Sequence, residues 1–172
     1  MSGLGPYAEP RYALGGCALR PLEAPEVPGL AQALAAMDPW LTFGYSAQRF
    51  SSYLSRPDPA LRRYAILVGT DLAGVVAVRY PWLHGAYLEL LGILRPFQGR
   101  GLGAEVVQWF ESRSFQVAPN AWILVSSFNT RARKFYGRLG YVELATLPDF
   151  LRPGHDEILL RKQKQPPPGG SL

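Results

Sequence analysis

The chain has 172 residues, 48% of them apolar and 12% aromatic, and its 18 Lys and Arg against 13 Asp and Glu give a net charge of +5. That is the size of one domain, able to bury about two thirds of its unfolded surface, and a composition that excludes a disordered or fibrous protein. A single cysteine, Cys17, excludes a disulfide-stapled fold and fits a reducing, cytoplasmic setting, and no apolar run is long enough for a transmembrane helix.

Taken in order, residues 1–16 are rich in Gly and Pro without periodicity and read as a flexible leader. A single domain is expected over 17–162, followed by a disordered Pro/Gly tail, 163–172. Residues 17–22 read as a strand and 29–37 as a helix that stops before Pro39. Trp40, Phe43 and Tyr45 fall in a poorly periodic stretch that either lines a site or packs on the core, and 47–55 forms a second helix. Strands follow at 63–68 and 75–80, joined by a turn at 71–74, and a central strand at 87–94. A helix at 104–115, a continuous apolar strand at 122–127 and a helix from Thr130 come next. In that last helix Ala132, Phe135, Tyr136 and Leu139 share one stripe, and Gly140 is placed to end it. Residues 141–146 and 156–161 close the fold as an antiparallel pair across a loop at 147–155. The order is β-α-α-β-β-β-α-β-α-β-β, an α/β chain.

The chemistry concentrates after the central strand, in Gln98-Gly99-Arg100-Gly101-Leu102-Gly103. Three glycines in five residues remove the Cβ atoms that keep a ligand from the main chain and permit positive φ, so successive N–H groups converge on one anion. A helix start directly behind adds unpaired N–H groups and the positive dipole end, which makes a diphosphate the natural guest. Gly99, Gly101 and Ala104 also spell a dinucleotide fingerprint. The connection through Arg95-Pro96-Phe97 is too long for that tight turn, however, and the next strand ends in Ser126-Ser127 rather than an acidic residue.

Read from Gln98 the loop is Gln-x-x-Gly-x-Gly. About thirty residues on, Asn129-Thr130-Arg131-Ala132-Arg133-Lys134-Phe135-Tyr136 leads into Gly140-Tyr141. The two signatures, in this order and at this separation, resemble the GNAT family of acyl-CoA-dependent N-acetyltransferases, over roughly residues 17–162. The resemblance implies a GNAT-like mixed sheet with helices on both faces, and acetyl-CoA as cosubstrate, with no metal. It places the diphosphate on the backbone of Gln98 to Gly103 and the pantetheine along Ile93, Leu94, Asn129 and Ala132. The acetyl oxygen would meet backbone at Ile93 and Leu94, and direct attack by an amine would proceed without an acyl-enzyme.

By the same resemblance Tyr136 protonates the leaving sulfur; otherwise it is a core aromatic. Glu89, a carboxylate in an apolar strand four residues before Ile93, is the expected general base; otherwise it is a carboxylate paired with an arginine. Asn129 also suits the cap of the helix beginning at Thr130. Ser126 and Ser127 could relay a proton, His84 and His155 read as surface residues, and Cys17 as a buried small hydrophobe. Arg100, Arg131, Arg133 and Lys134 cluster where CoA phosphates would lie. The acceptor is a small-molecule or peptide amine of unassigned identity, with neither nucleic acid nor membrane as partner and homodimerisation left open. The alternative function is a non-catalytic CoA-binding module of the same fold.

Overall fold

The computed structural model describes residues 5–166. Its strands are β1 (Tyr12–Ala13), β2 (Ala18–Pro21), β3 (Leu61–Val68), β4 (Asp71–Trp82), β5 (Gly85–Ile93), β6 (Asn120–Ser126), β7 (Val142–Arg152) and β8 (His155–Gln163). Its helices are α1 (Val27–Ala35), α2 (Trp40–Phe43), α3 (Ala47–Ser55), α4 (Leu102–Val117) and α5 (Thr130–Arg138). The strands form one mixed sheet in the order β1-β2-β3-β4-β5-β6-β8-β7, antiparallel throughout except between β5 and β6.

The sheet carries a core on each face. On one, Val106 and Phe110 of α4 and Tyr136 of α5 pack against Val76, Val78 and Ile123. On the other, Leu30 and Leu34 of α1 and Phe50 and Leu54 of α3 pack against Val75, Ala77 and Leu90. This explains why Val75 to Val78 is an unbroken apolar run: alternate side chains enter different cores, so neither face of β4 meets water there.

Alternation fails in β5 at the position that shapes the site. Ala77 pairs with Leu90 and Val78 with Leu88, so Glu89 is the extra residue of a β-bulge in β5. Ala86 and Leu88 belong to the α4–α5 core, Leu90 to the α1–α3 core, and Leu91 and Ile93 again to the first. The bulge thus turns Glu89 and Leu90 to the same face. It also ends the pairing with β6, which runs only from Gly85 opposite Asn120 to Leu88 opposite Ile123. Beyond it the two parallel strands separate.

Several expected boundaries change. Residues 5–16 are not a flexible leader. Tyr7 is fully buried, donates from its hydroxyl to the Phe110 carbonyl at 2.7 Å and accepts at its own carbonyl from Tyr64, while Tyr12 stacks edge-on to Trp109. Residues 1–4 and 167–172, the ends of the expected leader and tail, lie outside the described residues. The β3–β4 turn falls before Asp71, with Gly69 at φ +60°, so 71–74 is already strand. β7 continues to Arg152 through most of the expected loop; Pro148 is tolerated because β7 is an edge strand. Cys17 is buried, and burial with Glu105 close by pushes its thiol up to about 11.

Candidate active site

Where β5 and β6 part, a cavity of about 500 Å³ opens through the sheet. At one end lies the glycine loop, with Gly99 at φ +76° and Gly101 at φ +79°, conformations that an L side chain adopts only under strain. Gly101 starts α4, whose first intrahelical donor is Glu105, bonding back to the Gly101 carbonyl at 3.2 Å. The six amides before it, Gly99 to Ala104, make no backbone hydrogen bond among the described residues. A Cβ at Gly99 or Gly101 would meet open space. Such a row of free donors at the positive end of a sixteen-residue helix fits a diphosphate. Gln98 braces the loop rather than binding by itself: its Nε2 donates to the Ile93 carbonyl at 2.9 Å.

The strand end divides its two candidate residues. Leu94 is spent, because its amide donates to Ala73 at 2.8 Å and its carbonyl accepts from Phe97 at 2.9 Å. Ile93 stands opposite Gly74, one position from the hydrogen-bonded Leu94–Ala73 pair, so its N–H points away from β4 into the gap. One free amide remains for a carbonyl oxygen, not two.

Across the gap, Asn129 caps α5, its Oδ1 accepting from the Ala132 amide at 3.1 Å, and both residues line the cavity. Tyr136 sits on the inward stripe of α5, almost fully buried, and its hydroxyl has no hydrogen-bond partner among the described residues. Burial holds this phenol well above its ordinary pKa, so it keeps its proton. Of the expected basic cluster, Arg131 lines the cavity, joined by Arg138, which periodicity alone did not single out. Arg133 is committed elsewhere, to Glu143 at 2.8 and 2.9 Å and to the Ser127 carbonyl. Arg100 folds back, donating to the Pro96 carbonyl and lying over Phe97.

Glu89 lines the cavity, but both of its oxygens are engaged: Oε2 by Arg79 Nε at 2.5 Å, Oε1 by Arg79 Nη2 at 3.2 Å and by the Tyr53 hydroxyl at 3.0 Å. Arg79 also donates to Asp58 at 3.0 Å. This is the arginine-paired alternative: both carboxylate oxygens already accept hydrogen bonds from protein donors. A second carboxylate lies on the closing strand. Glu157 on β8 is 3% exposed and pairs in register with Ser126, whose hydroxyl donates to its Oε1 at 2.8 Å. Desolvation raises its pKa, partly offset by Ser126 and His155. Its signal in sequence was the run Asp156-Glu157-Ile158, where an acid precedes a core position. The wall opposite α4 is aromatic: Trp40, Phe43 and Tyr45 all line the cavity while also packing among themselves and on Phe50. Among the described residues, no group of His, Cys, Asp and Glu is placed to hold a metal, and no helix is long and apolar enough to cross a membrane.

A helix-mounted anion seat leading into a gap between parallel strands is an acyltransferase arrangement, and the comparisons agree. Residues 29–141 match the model of the acetyltransferase (GNAT) family, and the chain belongs to that family. It is 28% identical over 103 residues to an uncharacterised N-acetyltransferase of Methanocaldococcus jannaschii, a match covering 59% of this chain and 65% of that relative's length. It is 32% identical over 111 residues to blasticidin-S acetyltransferase of Streptomyces morookaense, covering 63% of this chain and 79% of that protein. In fold it resembles NAA60 of Arabidopsis thaliana, solved in complex with a bisubstrate analogue, with a TM-score of 0.66 at 16% identity over 87% of this chain and 99% of that one.

Proposed function

We propose that the chain is an N-acetyltransferase that moves an acetyl group from acetyl-CoA to a primary amine of a small-molecule or peptide acceptor by direct attack. The observation that carries this is the row of unpartnered amides, Gly99 to Ala104, at the mouth of a gap that contains the Tyr136 hydroxyl. Acetyl-CoA supplies the acetyl group as a reactive thioester. The loop amides hold its diphosphate, with Arg131 and Arg138 of α5 beside them, and the Ile93 N–H is aimed to bond the carbonyl oxygen as charge develops there. Tyr136, kept protonated by burial, donates to the departing sulfur. Glu89, fastened by Arg79 and Tyr53, fixes the bulge that keeps the strands apart. One of the relatives named above is called an N-acetyltransferase, which supports an amine acceptor.

Calorimetric titration with acetyl-CoA should release heat and raise Tm, since a ligand of the native state stabilises it. Gly101→Ala should abolish that binding while costing about 1–2 kcal/mol of stability for a side chain at positive φ. Neither heat nor stabilisation in the unaltered protein would overturn the reading.

A further inference from the structure

The gap has two mouths, and its titratable groups divide between them. Tyr136 approaches from the face covered by α4 and α5. Along β6, Ala121, Ile123 and Val125 point to that same face, so Ser126 and its register partner Glu157 point to the other. On that other face α1 and α3 cover β3 to β5, and α2 reaches over the β8 end, with Phe43 5.1 Å from His155 ring to ring. Arg152 of β7 fastens this element by donating to the Phe43 carbonyl. The result is a small chamber with a carboxylate floor and an aromatic wall, separated from the cofactor seat by the thickness of the sheet.

Glu157 is the carboxylate in this chamber left free to act. Glu89 is saturated by Arg79 and Tyr53, whereas Glu157 Oε1 accepts only from Ser126 and Oε2 accepts nothing among the described residues. Nor is Oε2 sealed in the protein as the buried unpaired atoms Glu111 Oε2 and Tyr141 Oη are. The groups facing Glu157 are Ser126 from β6, Tyr87 from β5 and His155 on β8 itself, so among the described residues no arginine or lysine is paired with it.

We propose that Glu157 binds the ammonium of the acceptor and takes its proton, and that the acceptor carries this amine on a flat, ring-bearing body that lies against Trp40, Phe43 and Tyr45. The inference rests on the acetyltransferase reading and names its acceptor side. The step balances across the sheet. Glu157 removes a proton from the ammonium, the freed nitrogen bonds to the acetyl carbon, the carbon–sulfur bond breaks, and Tyr136 returns a proton to the sulfur. The second proton, shed by the attacking nitrogen after bond formation, passes through solvent to restore the Tyr136 phenol, and Glu157 gives its proton to solvent, so one proton is released for each acetyl group transferred. Base and acid on opposite faces suit a line of attack that runs through the gap. Aromatic faces add attraction for the cation while it waits at the carboxylate.

The test is thiol release from acetyl-CoA with phenethylamine, spermidine and an alanine-initiated tetrapeptide as acceptors, with acetyl-CoA binding followed separately by thermal shift. Phenethylamine should give a kcat/KM at least about tenfold above the others. Glu157→Gln should lower it about a hundredfold or more at neutral pH, with the deficit shrinking as pH rises and free amine becomes abundant, while the acetyl-CoA thermal shift persists. Glu157→Asp should restore part of the rate. Ser126→Ala should move the acid limb of the pH profile upward, because the lost hydrogen bond favoured the charged carboxylate. Faster use of spermidine or the peptide, or no amine-dependent thiol release despite acetyl-CoA binding, would overturn the acceptor class. A Glu157→Gln protein that keeps a third or more of the rate would overturn the base. Absence of the thermal shift itself would strike instead at the acetyltransferase reading beneath.

Discussion

Tyr136 is buried and Glu89 half-buried in the lining of the central gap, and their surroundings give them opposite energetics. The Tyr136 hydroxyl has no partner among the described residues, so Tyr136→Phe removes no hydrogen bond of the folded state; stability should hold while turnover falls about a hundredfold to ten thousandfold at every pH, read by thiol release beside a denaturation curve. Glu89→Gln should do the reverse. It strips the charge from bonds to Arg79 and Tyr53 and should cost about 1.5–3 kcal/mol in urea denaturation, with a smaller loss of rate than Glu157→Gln. The place of Tyr136 on the inward stripe of α5 was legible because its signature fixes both spacing and residue type. Glu89 stood out in the sequence because it is an acid in an apolar strand, but nothing local reveals that Arg79, ten residues away, lies across the β4–β5 ladder to meet it. Glu157 was hidden for the complementary reason. A carboxylate at the start of an alternating strand looks solvated until the register with Ser126 is known.

At the scale of elements, most helices and strands were legible from apolar period and from glycines that punctuate them; α3 occupies 47–55 as expected. What was missed lies where tertiary contact outweighs local pattern. Gly and Pro dilute the apolar signal of residues 5–16, yet Tyr7 and Tyr12 enter the core beside Trp109 and Phe110, and β1 extends the sheet. Tyr7→Ala should therefore cost about 3–5 kcal/mol, and Tm should drop by roughly 6–20 °C in a thermal melt. A melt unchanged within a degree would return the segment to the role of a leader. The bulge could not be read at all, since Leu-Glu-Leu-Leu fits either parity and the choice is made by the partners Ala77 and Val78.

For the molecule as a whole, the excess of positive charge is divided between structure and binding. Arg79, Arg113 and Arg133 are tied to Glu89, Glu9 and Glu143, while Arg131 and Arg138 face the cavity. CoA should bind more tightly than its dephospho form, by a margin that narrows as salt rises, and Arg131→Ala should narrow it where Arg133→Ala does not. Equal affinities at low salt, measured by calorimetry, would make these arginines a solvated face.

The parting of β5 from β6 also sets how the sheet behaves as a mechanical object. Among the described residues, four residue pairs are all the strand pairing that joins strands β1–β5 to strands β6–β8. Backbone groups beyond that short seam have no neighbour strand to hold them, so the seam is where the sheet opens at least cost. A linear guest lying in the gap and bonded to both edges acts as the missing strand. Recognition and completion of the sheet are then one event, the guest standing where a further strand would pair.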